Sequence, residues 1–259
     1  MEKFDGLKAF FEEGYKNYRQ GISIDCAIFG FEKDELKVLL SKNAVITKWS
    51  LPGGFVRKNE NLEEAARRTT MERTGIDHLF FRQFKTFGDP KRNILPGIFD
   101  EEKFVEITGF KVPKNTWLEE NTISIGYYAV TNISESKPAI DIFSTECKWF
   151  SLDEIPELAF DHNQILQEAL QTLKIHLYHY PIGKNLLPDR FTLKEIKNLF
   201  EILSGKHLHA SNFPNKLLSL GLLEKTNEKR NIGAHRAPSF YKFNEEVYEN
   251  MLRDGFVLV

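Results

Sequence analysis

Two rhythms of apolar and polar positions run along this chain, and the change from one to the other divides it. Residues 2–18 set Phe4, Leu7, Phe11, Tyr15 and Tyr18 at helical spacing, which predicts an amphipathic helix lying over the next domain or serving a dimer contact. Residues 21–31 are apolar and β-prone, Lys33-Asp34 suits a hairpin turn, and residues 36–40 continue as a second strand. Trp49-Ser50-Leu51-Pro52 then leads into Gly53-Gly54. Past that turn Asn61 is placed to cap a helix, Glu64 completes a capping box, and Gly75 ends the helix. Strands are expected over 79–87, 122–130 and 148–150, and Asp161 is placed to cap a helix to about Leu173. Residues 92–121 fit neither period; their aromatic and β-branched side chains predict an ordered excursion that covers something.

The rhythm changes after residues 181–190, PIGKNLLPDR, whose two prolines and one glycine read as a linker. Thr192 caps a helix to about Leu203 with Glu195 in the capping-box position, and Ser204-Gly205 turns the chain. A second helix is expected over 211–220, stopping at Gly221. Strand-like residues 222–224 and 239–243 flank a basic, glycine-containing tip. Helix, turn, helix, strand, basic tip, strand is the order of a winged helix-turn-helix. The expected organisation is an N-terminal helix (1–18), an α/β domain (19–175, with the excursion at about 93–120), a linker (176–190) and a winged helix (191–259).

The length of 259 residues accommodates one large domain or two ordinary ones, and 41% hydrophobic with 28% charged residues suits a globular protein with a real core. The 22 phenylalanines point to packing more than to chemistry. No apolar run approaches a membrane span and the N-terminus is too polar for a signal peptide; with Cys26 and Cys147 in strand-like contexts, a cytoplasmic setting is expected. The net charge of −2 hides an asymmetry: residues 184–242 carry 11 Lys and Arg against 5 Asp and Glu, while the remainder carries 24 against 32. A basic module on an acidic partner is what a sensor fused to a nucleic-acid-binding domain would show.

Candidate chemistry concentrates in GGFVRKNENLEEAARRTTMERTGI, residues 53–76. Gly54, Glu60, Arg68, Glu72 and Gly75 stand at the spacing of the Nudix box, G-x5-E-x7-R-E-U-x-E-E-x-G-U with U apolar. Diphosphate cleavage needs Mg²⁺ held by hard oxygen ligands, and carboxylates at i, i+3 and i+4 of a helix share one face. Here those positions are Thr69, Glu72 and Arg73, so only Glu72 can bind a metal, and Arg73 sets a cation where the metal would sit. No catalytic residue and no metal is therefore expected. Gly53, Gly54, Phe55, Arg68, Glu72, Arg73 and Asp89 become candidates to line an effector cleft, although both arginines could instead be solvated or paired with Glu60, Glu63 and Glu64, the favoured reading for Arg68, and Asp89 suits an Asx turn. His176 and His179, and His207 and His209, lack the further ligands of a zinc site.

Much of the chain resembles the Nudix-related transcriptional regulators, in which a Nudix effector domain precedes a winged helix that binds operator DNA. The resemblance is carried by IDCAIFGF (24–31), WSLPGGFVRKNE (49–60), the eroded box, FGDP (87–90), SIGYYAV (124–130), LAFDH (158–162), PIGKNLLPDRFTL (181–193), NFPNKLLSLGLLEKT (212–226) and FYKFN (240–244). It implies an α+β protein: a Nudix α/β/α sandwich with a mixed sheet, plus the winged helix. It implies that Glu60 and Arg68 form a structural salt bridge. The eroded box is most similar to the sugar-responsive branch, including regulators of arabinose utilisation; another branch senses ADP-ribose. The expected protein is a homodimeric regulator of operator DNA without cofactor, responding to a sugar, a sugar phosphate or ADP-ribose. An active Mg²⁺-dependent hydrolase of a nucleoside diphosphate derivative is the alternative. Residues 93–120 look like an insertion relative to the family, and HASNFPNK is less basic than its usual recognition run.

In a winged helix the second helix presents its first turns to the major groove and the wing meets phosphates. That puts His209, Ser211, Asn212, Asn215 and Lys216 towards the groove and Lys225, Lys229, Arg230, His235 and Arg236 on the wing, or leaves a merely basic hairpin on a protein-interaction domain.

Overall fold

The computed structural model describes all residues except 1, 78, 93–96, 115, 119–120, 137, 140–143, 210, 231–236 and 256–259. The chain forms two compact units: residues 1–29, 38–129 and 136–169 in the first, and 30–37, 130–135 and 170–259 in the second.

The first unit begins with α1 (Glu2–Glu13), shorter than its periodicity predicted. At Gly14 the chain passes into a 3-10 turn (Gly14–Lys16), packed so closely that a Cβ there would lie 2.5 Å from Trp117 Nε1, and Tyr18 opens a strand. Strands β1 (Tyr18–Glu32) and β2 (Glu35–Asn43) meet at Lys33-Asp34, where φ is +51° and +59°. Positive φ at both central residues matches the right-handed twist of the flanking strands. After β3 (Trp49–Ser50) and β4 (Gly53–Arg57) comes α2 (Leu62–Thr74). Its capping box is complete: Asn61 accepts from the Glu64 N–H and the Glu64 side chain from the Asn61 N–H, and Gly75 closes the helix at φ +68°. Such a cap contributes about 1 kcal/mol.

Then follow β5 (Phe80–Phe87), α3 (Glu101–Thr108), β6 (Ile123–Asn132), β7 (Ser144–Ser151) and α4 (His162–His176). The sheet runs β3-β2-β1-β6-β5, with β4 paired to β1 and β7 to β2. Within β1, residues 24–31 are a continuous buried run because both faces of the strand are covered there. Ile24, Cys26, Ile28, Leu39, Val56, Ala65 and Ala66 share one core, which fastens α2 to the sheet. The Cys26 thiol is fully buried there, and burial pushes it up to about 12.

The excursion holds α3, capped by Asp100 and closed by Gly109, and it covers an aromatic cluster. Trp117 donates its indole N–H to the Phe10 carbonyl at 2.8 Å, stacks on Tyr18 at 5.6 Å and meets Phe55 edge-on at 4.8 Å. The N-terminal helix is thus pinned beside the first residues after the Gly-Gly turn.

In the second unit, the segment read as a linker is packed. Ile182, Leu186 and Leu187 are buried and a 3-10 turn spans Ile182–Asn185. Helices α5 (Leu193–Ser204) and α6 (Asn212–Ser219) precede a hairpin of β8 (Leu223–Lys229) and β9 (Ser239–Phe243), paired Leu223↔Phe243 and Lys225↔Tyr241. Thr192 and Glu195 form the expected capping box. Beyond the elements read from the sequence, α7 (Glu245–Asp254) is capped by Asn244 and buries Tyr248. Among the described residues no helix is long and apolar enough to cross a membrane.

Candidate effector site and nucleic-acid interface

The β4–α2 turn is held by one ion-pair system. Arg68 donates through Nε to Glu60 Oε2 at 2.8 Å and through Nη2 to Glu60 Oε1 at 2.6 Å and the Phe55 carbonyl at 2.9 Å. Its Nη1 reaches Glu72 Oε2 at 2.8 Å, and Arg57 Nη2 meets Glu72 Oε1 at 2.9 Å. The bonds from Arg68 outweigh burial and hold the Glu60 carboxyl below its ordinary range. Arg68 is therefore committed to the scaffold rather than turned to a ligand, and Glu72 is bound to two guanidinium groups.

Thr69 is buried, its hydroxyl has no hydrogen-bond partner, and its Cγ2 lies 3.0 Å from where a Cβ on Gly54 would be. This position is packing beneath the turn. Arg73 donates from Nε to the Gly53 carbonyl at 3.2 Å, so a permanent cation lies against the turn itself. Among the described residues no group of three His, Cys, Asp or Glu is arranged to hold a metal. A threonine in packing, a glutamate between two arginines and an arginine are a donor set that does not fit a divalent cation.

Of the other expected cleft residues, Phe55 is engaged with Trp117 and Phe10. Asp89 makes the Asx turn, accepting from the Lys91 N–H at 2.8 Å, and is exposed.

Sequence reasoning missed a buried polar network behind the Gly-Gly turn. Asp25 pairs in register with Gly53, and a Cβ on Gly53 would stand 2.3 Å from Asp25 Oδ1. Arg92 Nε and Nη2 meet Asp161 Oδ2 and Oδ1, each at 2.9 Å; Nη2 also reaches Asp25 Oδ2 at 3.2 Å and Nη1 donates to Thr122 at 3.0 Å. Ser124 donates to Asp25 Oδ2 at 2.5 Å. The Leu51 N–H donates to His162 Nδ1 at 3.0 Å, which leaves Nε2 to carry the proton facing Asp25 Oδ1 at 3.4 Å. Burial alone would raise the Asp25 carboxyl; His162, Arg92 and Ser124 outweigh it and hold that carboxyl well below the carboxylate range. Asp161, expected as a helix cap, gives its carboxylate to Arg92. The available signals were an aspartate inside an apolar strand and the polar pair that ends LAFDH.

The same turn carries a strained aromatic. Phe160 has φ +56°, its side chain is half-buried, and its ring lies 5.4 Å from that of His162. A bulky residue in the left-handed region is a genuine outlier.

On the winged helix, His209, Ser211, Asn212, Asn215 and Lys216 are all exposed while Phe213, Pro214 and Leu217 face inward. Pro214 is accommodated because it lies in the first turn. Lys225 and Lys229 are exposed on the hairpin. Arg230 differs from them: it pairs with Glu195 and lies over the Phe240 ring at 5.0 Å. His235 and Arg236 fall outside the described residues.

A mixed sheet with a capped helix after a Gly-Gly turn, tied by Glu60 and Arg68, defines a Nudix domain, here in one chain with a winged helix. The chain belongs to the NUDIX family: residues 19–172 match the NUDIX domain, and residues 183–243 match the NrtR DNA-binding winged helix domain. It is 28% identical over 235 residues to the ADPR responsive transcriptional repressor NtrR of Acinetobacter baylyi, covering 88% of this chain and 84% of that protein. It is also 28% identical over 159 residues to the ADP-ribose pyrophosphatase of Methanocaldococcus jannaschii, covering 60% of this chain and 79% of that one. Among solved structures, Shewanella oneidensis NrtR complexed with a 27mer DNA shares the fold at TM-score 0.66 and 23% identity, covering 89% of this chain and 96% of that one.

Proposed function

We propose that the protein is a DNA-binding transcriptional regulator whose Nudix domain binds an effector instead of hydrolysing it. The observation that carries this reading is Arg73 on the Gly53 carbonyl, at a position where the box expects a metal-binding glutamate. A guanidinium there suits the diphosphate of ADP-ribose without a metal, because it supplies fixed charge and directed donors together. Similarity to an ADPR responsive repressor favours ADP-ribose over the simple sugars and sugar phosphates expected from the sequence. Gly53, Gly54 and Arg73 are the proposed contacts in the cleft.

On the DNA side, the exposed face of α6 with Lys225 and Lys229 is the proposed contact surface, and two copies of the chain would read half-sites about one helical turn apart. Effector binding regulates only if ADP-ribose has different affinities for the DNA-bound and free states.

The test is a titration of the upstream DNA of the protein's own gene, with and without ADP-ribose, over a range of salt. Sequence-selective, salt-dependent binding that ADP-ribose alters supports the reading. Binding without selectivity, or Mg²⁺-dependent conversion of ADP-ribose to AMP and ribose 5-phosphate, overturns it in favour of a non-specific protein or of a hydrolase related to the archaeal pyrophosphatase. Arabinose and ribose 5-phosphate are the comparison ligands.

A further inference from the structure

The buried network behind the Gly-Gly turn has no role in the reading above, yet its bonds converge on the residues that enter and open that turn. The Leu51 N–H is taken by His162 Nδ1 at 3.0 Å, the Pro52 carbonyl accepts from the Cys26 N–H at 2.9 Å, and Gly53 lies in register with Asp25. Asp25 is itself held through Oδ2 by Ser124 at 2.5 Å and Arg92 at 3.2 Å, and its Oδ1 faces His162 Nε2 at 3.4 Å. His162 therefore meets the turn with one ring nitrogen and Asp25 with the other.

Gly53 and Asp25 are fitted to each other. Gly53 does not lie at left-handed φ, so its backbone conformation does not call for glycine; a Cβ there would instead stand 2.3 Å from Asp25 Oδ1 and 2.8 Å from the Ile24 carbonyl. The missing side chain is what lets the aspartate lie directly against the turn. Asp25, Arg92 and His162 are all buried, and a buried ion-pair system is a poor source of net stability because desolvation cancels much of its attraction. What its directed bonds do supply is a fixed geometry. The turn needs that geometry from behind, since Gly53 and Gly54 have no side chains to swing towards a ligand and any contact with them depends on where the backbone lies.

We propose that His162 and Asp25 are positioning residues of the effector site. Bonded to Leu51 and set against Gly53, they hold the Gly-Gly turn where its backbone and Arg73 meet the diphosphate of the effector together. Arg73 fixes the Gly53 carbonyl from α2, and the network fixes the same residue from β1. Neither His162 nor Asp25 touches the effector. This rests on the effector reading above and adds to it what organises the site.

The experiment is calorimetric titration of the full-length protein, H162L, H162Q and S124A with ADP-ribose, alongside thermal unfolding of each and DNA affinity without effector. Leucine fills the space of the imidazole and makes neither bond; the glutamine amide keeps an acceptor for the Leu51 N–H and a donor for Asp25. H162L should bind ADP-ribose about tenfold more weakly, within the cost of buried hydrogen bonds left unmade, while H162Q stays within about threefold of the unaltered chain and DNA affinity is unchanged in both. If H162L does not fold, S124A decides: about threefold weaker binding on loss of the bond to Asp25 Oδ2 supports the assignment, and unaltered binding overturns it. If H162L and H162Q bind ADP-ribose equally, or if affinities for ADP-ribose and DNA fall together, the role is packing alone; the assignment is then wrong and the effector reading stands. If the unaltered protein does not bind ADP-ribose at all, the effector reading falls and takes this inference with it.

Discussion

Arg230 reaches from the base of the wing to Glu195, its Nη1 and Nη2 donating to the two carboxylate oxygens at 2.9 and 3.1 Å. The same carboxylate accepts from the Thr192 N–H at 2.7 Å and the Thr192 hydroxyl at 2.9 Å. One side chain therefore caps α5 and anchors the wing. Burial would raise the Glu195 carboxyl, and these donors outweigh it and lower it. Arg230, which the sequence places among the wing's phosphate contacts, is here bonded to Glu195.

Replacing Glu195 by Gln keeps most of the shape but removes the charge that holds Arg230. Glutamine can still complete the capping box and half-exposed pairs are worth little individually, so the expected loss of stability is at most about 1 kcal/mol. DNA affinity should fall while ADP-ribose affinity stays unchanged, read by fluorescence anisotropy and calorimetry. Equal DNA affinity in E195Q and the unaltered protein would show that the wing does not need this strut.

Thr69→Glu puts a carboxylate at the box position, and on the effector-binding reading it should not produce hydrolysis. The side chain is packed against Gly54, with no room for two more heavy atoms. Overpacking a site of this kind costs about 1–3 kcal/mol. The variant should melt several degrees lower and release no AMP from ADP-ribose with Mg²⁺. Recovery of turnover in T69E would mean that the turn opens more easily than its packing implies.

The buried network sets the acid limit of the first unit. Asp25 has a folded pKa below its unfolded value, so its contribution is present above about pH 4 and is lost as the pH falls through the folded value. Stability measured by denaturant titration should be flat in this respect at neutral pH and decline on acidification. Asp25→Asn should lower neutral stability and flatten the acid decline. Arg92→Met leaves Asp25 and Asp161 buried without their cation and should cost about 3–5 kcal/mol. A neutral-pH loss under 1 kcal/mol in R92M would remove the network from the list of determinants.

How much of this was legible in the sequence depended on whether the signal was local. Asn61 with Glu64, Thr192 with Glu195, and Lys33-Asp34 each act within a few residues, and the structure has each where the sequence placed it. Glu60 and Arg68 were legible through their resemblance to the family's pair. The Arg92 network was not, because its members lie 67 and 69 residues apart and carry no periodicity. Arg92 also sat at the edge of an excursion that fitted no pattern. Helix α1 was overextended because Tyr15 and Tyr18 keep helical spacing, whereas the chain passes into a 3-10 turn at Gly14, which packs against Trp117 a hundred residues on. Arg73 was visible in the sequence as an arginine at a position where the box has a glutamate, but that it would bond to Gly53 could be seen only in three dimensions.

The exposed face of α6 separates two kinds of contact. Lys216 offers a flexible point charge and Asn215 a side-chain amide that can bond an adenine edge bidentately. Lys216→Ala should weaken binding to every sequence alike and reduce the slope of log K against log salt by about 1, the signature of one lost phosphate contact. Asn215→Ala should leave that slope unchanged and cost about 1–3 kcal/mol on the preferred sequence only, narrowing the gap to scrambled DNA. Binding measured at three salt concentrations on both sequences distinguishes them. If Asn215→Ala lowers affinity for the two DNAs equally, the recognition residue lies elsewhere on the face, and His209 and Asn212 are the next to replace.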